Sequence, residues 1–372
     1  MSHLTFSFAC RDLILNSPLV TSHATITLRR VIILAARTSD GEIAVSESAP
    51  LPEFGTESFD AAMESVRALC ARGSFPALPE NTRDTTEWIR EVGISSRESP
   101  TVAFAVDCSL TELIAKRQNV HPAKLLSAYP FDEMRVNALL SGSTIEEVVE
   151  SARQAAASGY DTAKIKVGTR AIAEDSELVK RLRQELPALG LRADANGAWT
   201  LVEACAFGHD VEQYDLEYLE DPVRELNVEE LVALQETCPV PIALDRFARR
   251  AEDVQRILDR DLCDVLVLKP STIGTLSELA ALSLLARQQD VKVVISSLLE
   301  SSVGLGWLAI CASAFGSGEL AHGLGTATLL HSDTLRRPFV PVRGRVQLHD
   351  ARTRAGDLTD DLQSELQIVR DA

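Results

Sequence analysis

Ala163-Lys164-Ile165-Lys166-Val167, Leu191-Arg192-Ala193-Asp194-Ala195-Asn196 and Leu216–Leu219 with its continuation Glu220-Asp221-Pro222 are three short apolar runs that each end in charge. The same pattern continues outward on both sides. Val136–Leu140 precedes them. Ile242–Leu244 followed by Asp245, Val265–Leu268 followed by Lys269, Val293–Ile295 followed by Ser296-Ser297, and a weak run His322–Leu324 come after. Each run is strand-sized, and amphipathic helical patterns lie between them. Thr144 and Glu147 have capping-box spacing before a face of Ile145, Val148, Val149, Ala152 and Ala156. Leu276, Leu279, Ala280 and Leu284 form another such face. Eight strands alternating with helices imply a parallel sheet, and eight units in so short a span imply a closed α/β barrel. No phosphate-binding glycine fingerprint follows the first run, which argues against a dinucleotide fold.

In such a barrel the C-terminal strand ends share one face, where barrel enzymes keep their chemistry. Asp194, Glu220 and Asp245 lie 26 and 25 residues apart, about one strand–helix unit, so they arrive on adjacent strands at one height. A single acid there would serve equally well as a helix cap. Three carboxylates converging in a low-dielectric mouth repel one another and call for a cation. An all-oxygen set with room for water suits Mg²⁺, with Mn²⁺ able to substitute. Lys164 and Lys166 alternate on one strand and so point the same way, into the barrel. Lys269 faces them from the opposite wall. Acids holding a divalent cation between opposed lysines suit proton abstraction beside a carboxylate. The histidines show no ligand spacing, His322 reads as a satisfied polar group at a strand start, and Trp199 reads as packing.

The first hundred residues differ in character. Leu4–Phe8, Ala24–Leu34 and Glu42–Val45 alternate as strands of an antiparallel sheet. Helical patterns cover Phe59–Ala71 and Val102–Lys116, and a Pro/Gly-rich loop spans 49–55. The 372 residues carry 37 Lys plus Arg against 54 Asp plus Glu, a net charge of −17. That excludes a duplex-binding or anionic-membrane role and leaves a small anionic substrate possible through local cations. Seven scattered cysteines without a Cys-x-x-Cys pair argue for buried thiols in a reducing compartment. No signal peptide or membrane-length apolar run is present, so a soluble cytoplasmic protein is expected.

These residues together resemble the enolase superfamily, in its muconate-lactonising-like branch. Lys164-Ile-Lys166 looks like that group's Lys-x-Lys motif, Asp194, Glu220 and Asp245 like its metal ligands, and Lys269 like its opposite-wall lysine. The fold implied is a modified (β/α)₇β TIM-type barrel over residues 106–339. An α+β cap over 1–105 is completed by the C-terminal tail, about 340–372. Within that branch the o-succinylbenzoate synthase family is the most similar. Glu47-Ser-Ala-Pro-Leu-Pro-Glu-Phe-Gly resembles its specificity loop, Ser296-Ser-Leu-Leu-Glu300-Ser-Ser-Val-Gly304 its strand-seven motif, and Gly323-Leu-Gly325-Thr its strand-eight turn. Two positions depart from it. Relatives usually carry Asp-Glu where this chain has Asp245-Arg246, and many carry Gly-Leu-Asp-Thr where this chain has Gly325.

The resemblance implies Mg²⁺-dependent loss of water from 2-succinyl-6-hydroxy-2,4-cyclohexadiene-1-carboxylate, a step of menaquinone biosynthesis. Lys166 would be the base, Lys269 a cation against the ring, and Lys164 an ordering residue. Phe54, Arg192, Asn196, Ser296, Ser297, Glu300 and Gly323 would surround the substrate. The rivals are an N-acylamino acid racemase or dipeptide epimerase on the same scaffold, and a non-catalytic metabolite-binding barrel. The Asp-x-Asp that a dipeptide epimerase uses on strand eight is replaced here by Gly323-Leu-Gly325. Oligomeric state is left open.

Overall fold

A computed structural model describes residues 4–20, 25–73, 75–225, 227–352 and 354–367. Its first part is an antiparallel sheet of β1 (Leu4–Val20), β2 (Thr25–Thr38) and β3 (Ile43–Ser48). β1 runs far past the alternating stretch Leu4–Phe8 read from sequence, and β2 runs past Leu34 to Thr38. The ladder from Leu4↔Thr38 to Ile14↔Leu28 is continuous, and it shifts register only between Ile14 and Leu19. Backbone pairing sustains the strand where the side-chain pattern fades. Ala24, the expected start of the second strand, lies outside the described residues.

Helices α1 (Phe59–Cys70), α2 (Thr85–Glu91) and α3 (Pro100–Gln118) pack on one face of that sheet. Ser58 caps α1 by accepting from Ala61 N. Every residue of α3 from Pro100 to Ala115 is buried, the polar ones included. A helix with apolar residues on every side belongs inside, and each buried leucine-sized side chain there contributes about 1.5–3 kcal/mol. Two buried hydroxyl pairs, Ser46–Ser109 at 2.8 Å and Ser48–Thr101 at 2.6 Å, tie it to β3. The sheet's other face packs with Leu298, Leu299 and Val303, and with Leu358, Leu362 and Leu366 from the C-terminal tail.

The remainder is a parallel sheet. After the short β4 (Glu133–Arg135) come β5 (Ala138–Leu139), β6 (Thr162–Lys166), β7 (Gly190–Asp194), β8 (Leu216–Glu220), β9 (Ile242–Leu244), β10 (Val265–Leu268) and β11 (Lys292–Ile295). β5 to β11 lie side by side in chain order. Helices α4 (Pro122–Leu126), α5 (Ile145–Ala157), α6 (Ile172–Glu185), α7 (Leu201–Val211), α8 (Val228–Thr237), α9 (Ala251–Asp259), α10 (Pro270–Ile273), α11 (Leu276–Gln288) and α12 (Ser302–Phe315) complete the units. The capping box of α5 is present, with Glu147 N donating to Thr144 Oγ1 and Thr144 N donating to Glu147 Oε2, both at 3.2 Å.

Three expectations are corrected in detail. The first run, Val136–Leu140, is shorter as a strand: only Ala138–Leu139 joins the parallel sheet, Val136 makes a single bridge to His322, and the separate β4 just before it pairs with Arg345–Gln347. In α11 it is Leu282, not Leu284, that turns inward; Leu284 is exposed. The weak last run makes no strand. His322 and Gly323 instead form single bridges to Val136 on one side and Ser296 on the other. Four backbone hydrogen bonds close this seam: His322 N to Arg135 O at 2.7 Å, Asn137 N to His322 O at 3.1 Å, Gly323 N to Ile295 O and Ser297 N to Gly323 O, each at 2.9 Å. Both edges of the sheet are thereby joined, and the strand ends converge on one mouth. No described helix is long and apolar enough to cross a membrane.

Candidate active site

Register places the charged strand ends in rows. Lys166 pairs with Asp194, and Asp194 with Glu220. One step down, Lys164 pairs with Arg192, and Arg192 with Tyr218. Lys166 is exposed at the strand end, while Lys164 reaches up between two acids. Its Nζ lies 2.8 Å from Asp194 Oδ2 and 2.7 Å from Glu220 Oε1. Burial works against the Lys164 charge, but Asp194 and Glu220 hold its pKa well above the usual lysine range. On the opposite wall Lys269 is buried, ion-paired with Asp245, and 5.6 Å above the Phe54 ring. The expected acids and lysines thus meet in one mouth, and the cap loop carries Phe54 into it on a 3₁₀ turn, Pro52–Phe54.

Asp221, which sequence reasoning quoted without a role, is part of the same cluster. Both its oxygens accept backbone hydrogen bonds, from Asp245 N at 3.1 Å and Arg246 N at 3.0 Å. It therefore fixes the end of β9. Its φ is +44°, a left-handed conformation that Asp tolerates and that turns the chain after β8. Its position directly after Glu220, before Pro222, was the available signal. Glu220, Asp221 and Asp245 each offer an oxygen within 4.8 Å of the others. Asp194 stands outside that group and is joined to it through Lys164. Burial first, and then neighbouring carboxylates, push Glu220 and Asp221 well above the usual carboxylate range. Glu220 Oε2 is buried without a partner among the described residues. An orphaned carboxylate oxygen amid crowded acids is what a divalent cation would satisfy, so the residues fit one.

The strand-seven loop is built from within. Glu300 is buried and takes Ser271 Oγ at 2.9 Å, Ser297 Oγ at 2.8 Å and Leu298 N at 2.5 Å. Leu299 stands at φ +62°, a strained conformation for a branched residue, and its carbonyl accepts from buried Arg29 Nε at 3.3 Å. Arg29 also donates to Ala49 O and Pro50 O, both at 2.8 Å. One cap arginine thus holds the cap loop and this barrel loop together. Sequence reasoning missed it, because its partners are carbonyls far along the chain. Ser296 and Gly323 lie flank to flank at the seam, where a Cβ on Gly323 would come 2.6 Å from Ser296 Oγ.

Arg192 sits deep in the barrel. It is wholly buried, donates to Glu217 Oε2 and Ala321 O at 2.6 Å, and stands 4.7 Å from the Tyr218 ring centre. Asn196 follows at φ +49°, its amide N–H donating to Asp194 Oδ1 at 3.0 Å. Trp199 is buried in the barrel's outer core against Phe207, as packing required.

The Enolase C-terminal domain-like family model matches residues 147–353. An o-succinylbenzoate synthase of Thermobifida fusca is 38% identical over 216 residues, 57% of this chain and 66% of that protein. One of Mycolicibacterium smegmatis is 36% identical over 223 residues, 59% of this chain and 66% of that protein. The matched region therefore spans just under two thirds of these relatives' length. Among solved structures, a muconate lactonizing enzyme of Pseudomonas fluorescens superposes with TM-score 0.83 at 17% identity, covering 98% of both chains. That likeness shares the barrel-and-cap architecture. With more than half of its length matched and its charged strand ends meeting at the barrel mouth, the chain belongs to the enolase C-terminal domain-like family.

Proposed function

We propose that this protein is an o-succinylbenzoate synthase, a hydro-lyase that removes water from 2-succinyl-6-hydroxy-2,4-cyclohexadiene-1-carboxylate. The observation that carries the reading is the pair of lysines, Lys166 and Lys269, on opposite walls of a mouth floored by carboxylates. The similarity to relatives of that name supports it. Asp194, Glu220 and Asp245, with Asp221 beside them, would hold Mg²⁺ or Mn²⁺, which supplies Lewis-acid stabilisation of charge on the substrate carboxylate.

Lys166 takes the proton alpha to the ring carboxylate on its amine nitrogen. The C–H electron pair becomes a ring double bond as the C–O bond breaks. Lys166, now an ammonium, returns the proton to the departing hydroxide, so water leaves and the ring becomes aromatic. Lys269 lies across the ring and offsets the negative charge that develops. Lys164 keeps Asp194 and Glu220 in place. Ser296, Ser297, Gly323 and Asn196 line the approach, and Glu300 orders Ser297. We take residues 1–105 with the tail from about 340 as a cap, 106–339 as the barrel, the cytoplasm as the location and menaquinone synthesis as the setting.

The two opposed lysines also suit racemisation of N-succinyl amino acids, in which each face exchanges a proton. Following the cyclohexadiene substrate for aromatisation, beside N-succinyl amino acids in deuterium oxide, separates the two. Fast aromatisation with little α-deuteration is expected, and Lys166→Ala should lose it by at least about a thousandfold. Deuteration of both enantiomers without aromatisation overturns the synthase.

A further inference from the structure

Arg249 is a cation of this mouth with no acidic partner among the described residues. It lies in the loop between β9 and α9, partly buried. Its stem packs beneath the cap loop: a Cβ on Gly55 would stand 3.0 Å from Arg249 Cδ and 3.4 Å from its Cβ. Gly55 has φ +94°, so the backbone closes onto the arginine with no side chain between them. Arg249 lines one small cavity with Phe54, Asp245, Arg246, Lys269 and Thr272. Its cationic neighbours there each have a partner, although Arg246 keeps a buried Nε without one. Lys269 is paired with Asp245. Arg246 donates to Arg224 O at 3.2 Å and lies over Gly197, where a Cβ would collide with its guanidinium. Among the described residues no acceptor takes a proton from Arg249.

A partly desolvated guanidinium without a counter-charge is costly, and its planar fork fits a carboxylate bidentately. The acids of this mouth already face lysines and the proposed cation site. The missing anion must therefore arrive with the ligand, at the rim, under the cap loop. We propose that Arg249 is a specificity residue that receives the second, chain-terminal carboxylate of a dicarboxylate substrate. The inference rests on the reading above, in which one carboxylate sits on the ring and another ends the succinyl chain. The ring carboxylate meets the acid end, Phe54 walls the middle, and Arg249 closes the far end.

The test is steady-state aromatisation by wild type, Arg249→Met and Arg249→Lys. Each is assayed with the dicarboxylate substrate and with its terminal methyl ester, with thermal melting as the check on folding. Arg249→Met is expected to raise KM by about 10–100-fold with kcat within about threefold, and Arg249→Lys to recover part of the loss. Wild type should disfavour the ester by a similar factor, and Arg249→Met should barely distinguish ester from acid, as the cost of losing both partners does not add. Unchanged KM in folded Arg249→Met, or equal discrimination by both proteins, overturns the assignment. If wild type aromatises neither compound, the synthase reading falls. Calorimetric binding of o-succinylbenzoate and its terminal ester to wild type and Arg249→Met then decides the Arg249 assignment on the same criterion.

Discussion

Glu47, near the end of β3, accepts two hydrogen bonds from Ser301, one from its hydroxyl and one at 2.9 Å from its amide. Gly304 N adds a third at 3.0 Å. A cap carboxylate thereby sits on the first turn of α12, where free amides and the helix dipole favour negative charge. The same contact fixes the loop that precedes α12, and with it Ser297 and Glu300.

Glu47 is fully buried, and burial pushes its pKa up to about 7 despite the Ser301 contacts. Its folded pKa lies above its unfolded one, so the native state binds the proton more tightly. The contribution is complete below about pH 4.5 and fades as pH rises through about 7, by on the order of 3 kcal/mol. Urea unfolding across pH 4–8 should show wild type losing stability in that window relative to Glu47→Gln. Parallel profiles for the two proteins would remove Glu47 as the cause.

His322 gives the opposite slope. Burial, then Arg192 and Arg135, push its pKa down to about 3, and its Nδ1 accepts from Ile295 N at 3.1 Å. The unfolded chain takes the proton first. The contribution is therefore complete above about pH 6.5 and is lost as pH falls towards 3, by on the order of 4–5 kcal/mol. His322→Asn should be less stable at pH 7 and flatter between pH 4 and 6.5. A variant that keeps the wild-type acid slope would assign that slope to another group.

Asp245 bears on the cation site twice, through its own oxygen and through the Lys269 pair. Asp245→Asn should lower Mg²⁺ affinity by at least about tenfold in calorimetry. Excess chelator should abolish turnover, with Mg²⁺ or Mn²⁺ restoring it. Full activity in chelator would eliminate the metal requirement.

Phe54 and Gly55 form the part of the cap loop that reaches the mouth. Phe54→Ala should raise KM several-fold while the melting temperature hardly moves, because the turn is partly exposed. Gly55→Ala should cost about 1–2 kcal/mol, since it combines a positive φ with the Arg249 stem. A Phe54→Ala protein with unaltered KM and lowered stability would put the loop's role in folding alone.

Much of the site was legible because one strand–helix unit has a regular length. Counting from Asp194 reaches Glu220 and Asp245, and the two-residue alternation puts Lys164 and Lys166 on one side. Asp221 was harder to read, since its role is to accept two amides from the next strand, and no spacing announces that. Arg29, Glu47 and Arg249 depend on how the cap docks on the barrel, a packing decision between segments some 200 residues apart in the sequence. The full length of β1 and β2 was hidden for a different reason. Half-buried Arg11 and exposed Asp12 are held there by their partner strand, not by any pattern of their own.

The seam at His322 and Gly323 gives the barrel a hinge line. Seven strands share laddered edges, but this join has only isolated bridges, so it is the least costly place for the cylinder to breathe. Amide exchange at Asn137, Gly323 and Ser297 should then outrun exchange at Ile165 and Ala193 in the middle of the sheet. The slit opens beside Ser296, so the wall that meets the substrate is also the part of the barrel that yields first, and a bound ligand bridging it would slow that exchange.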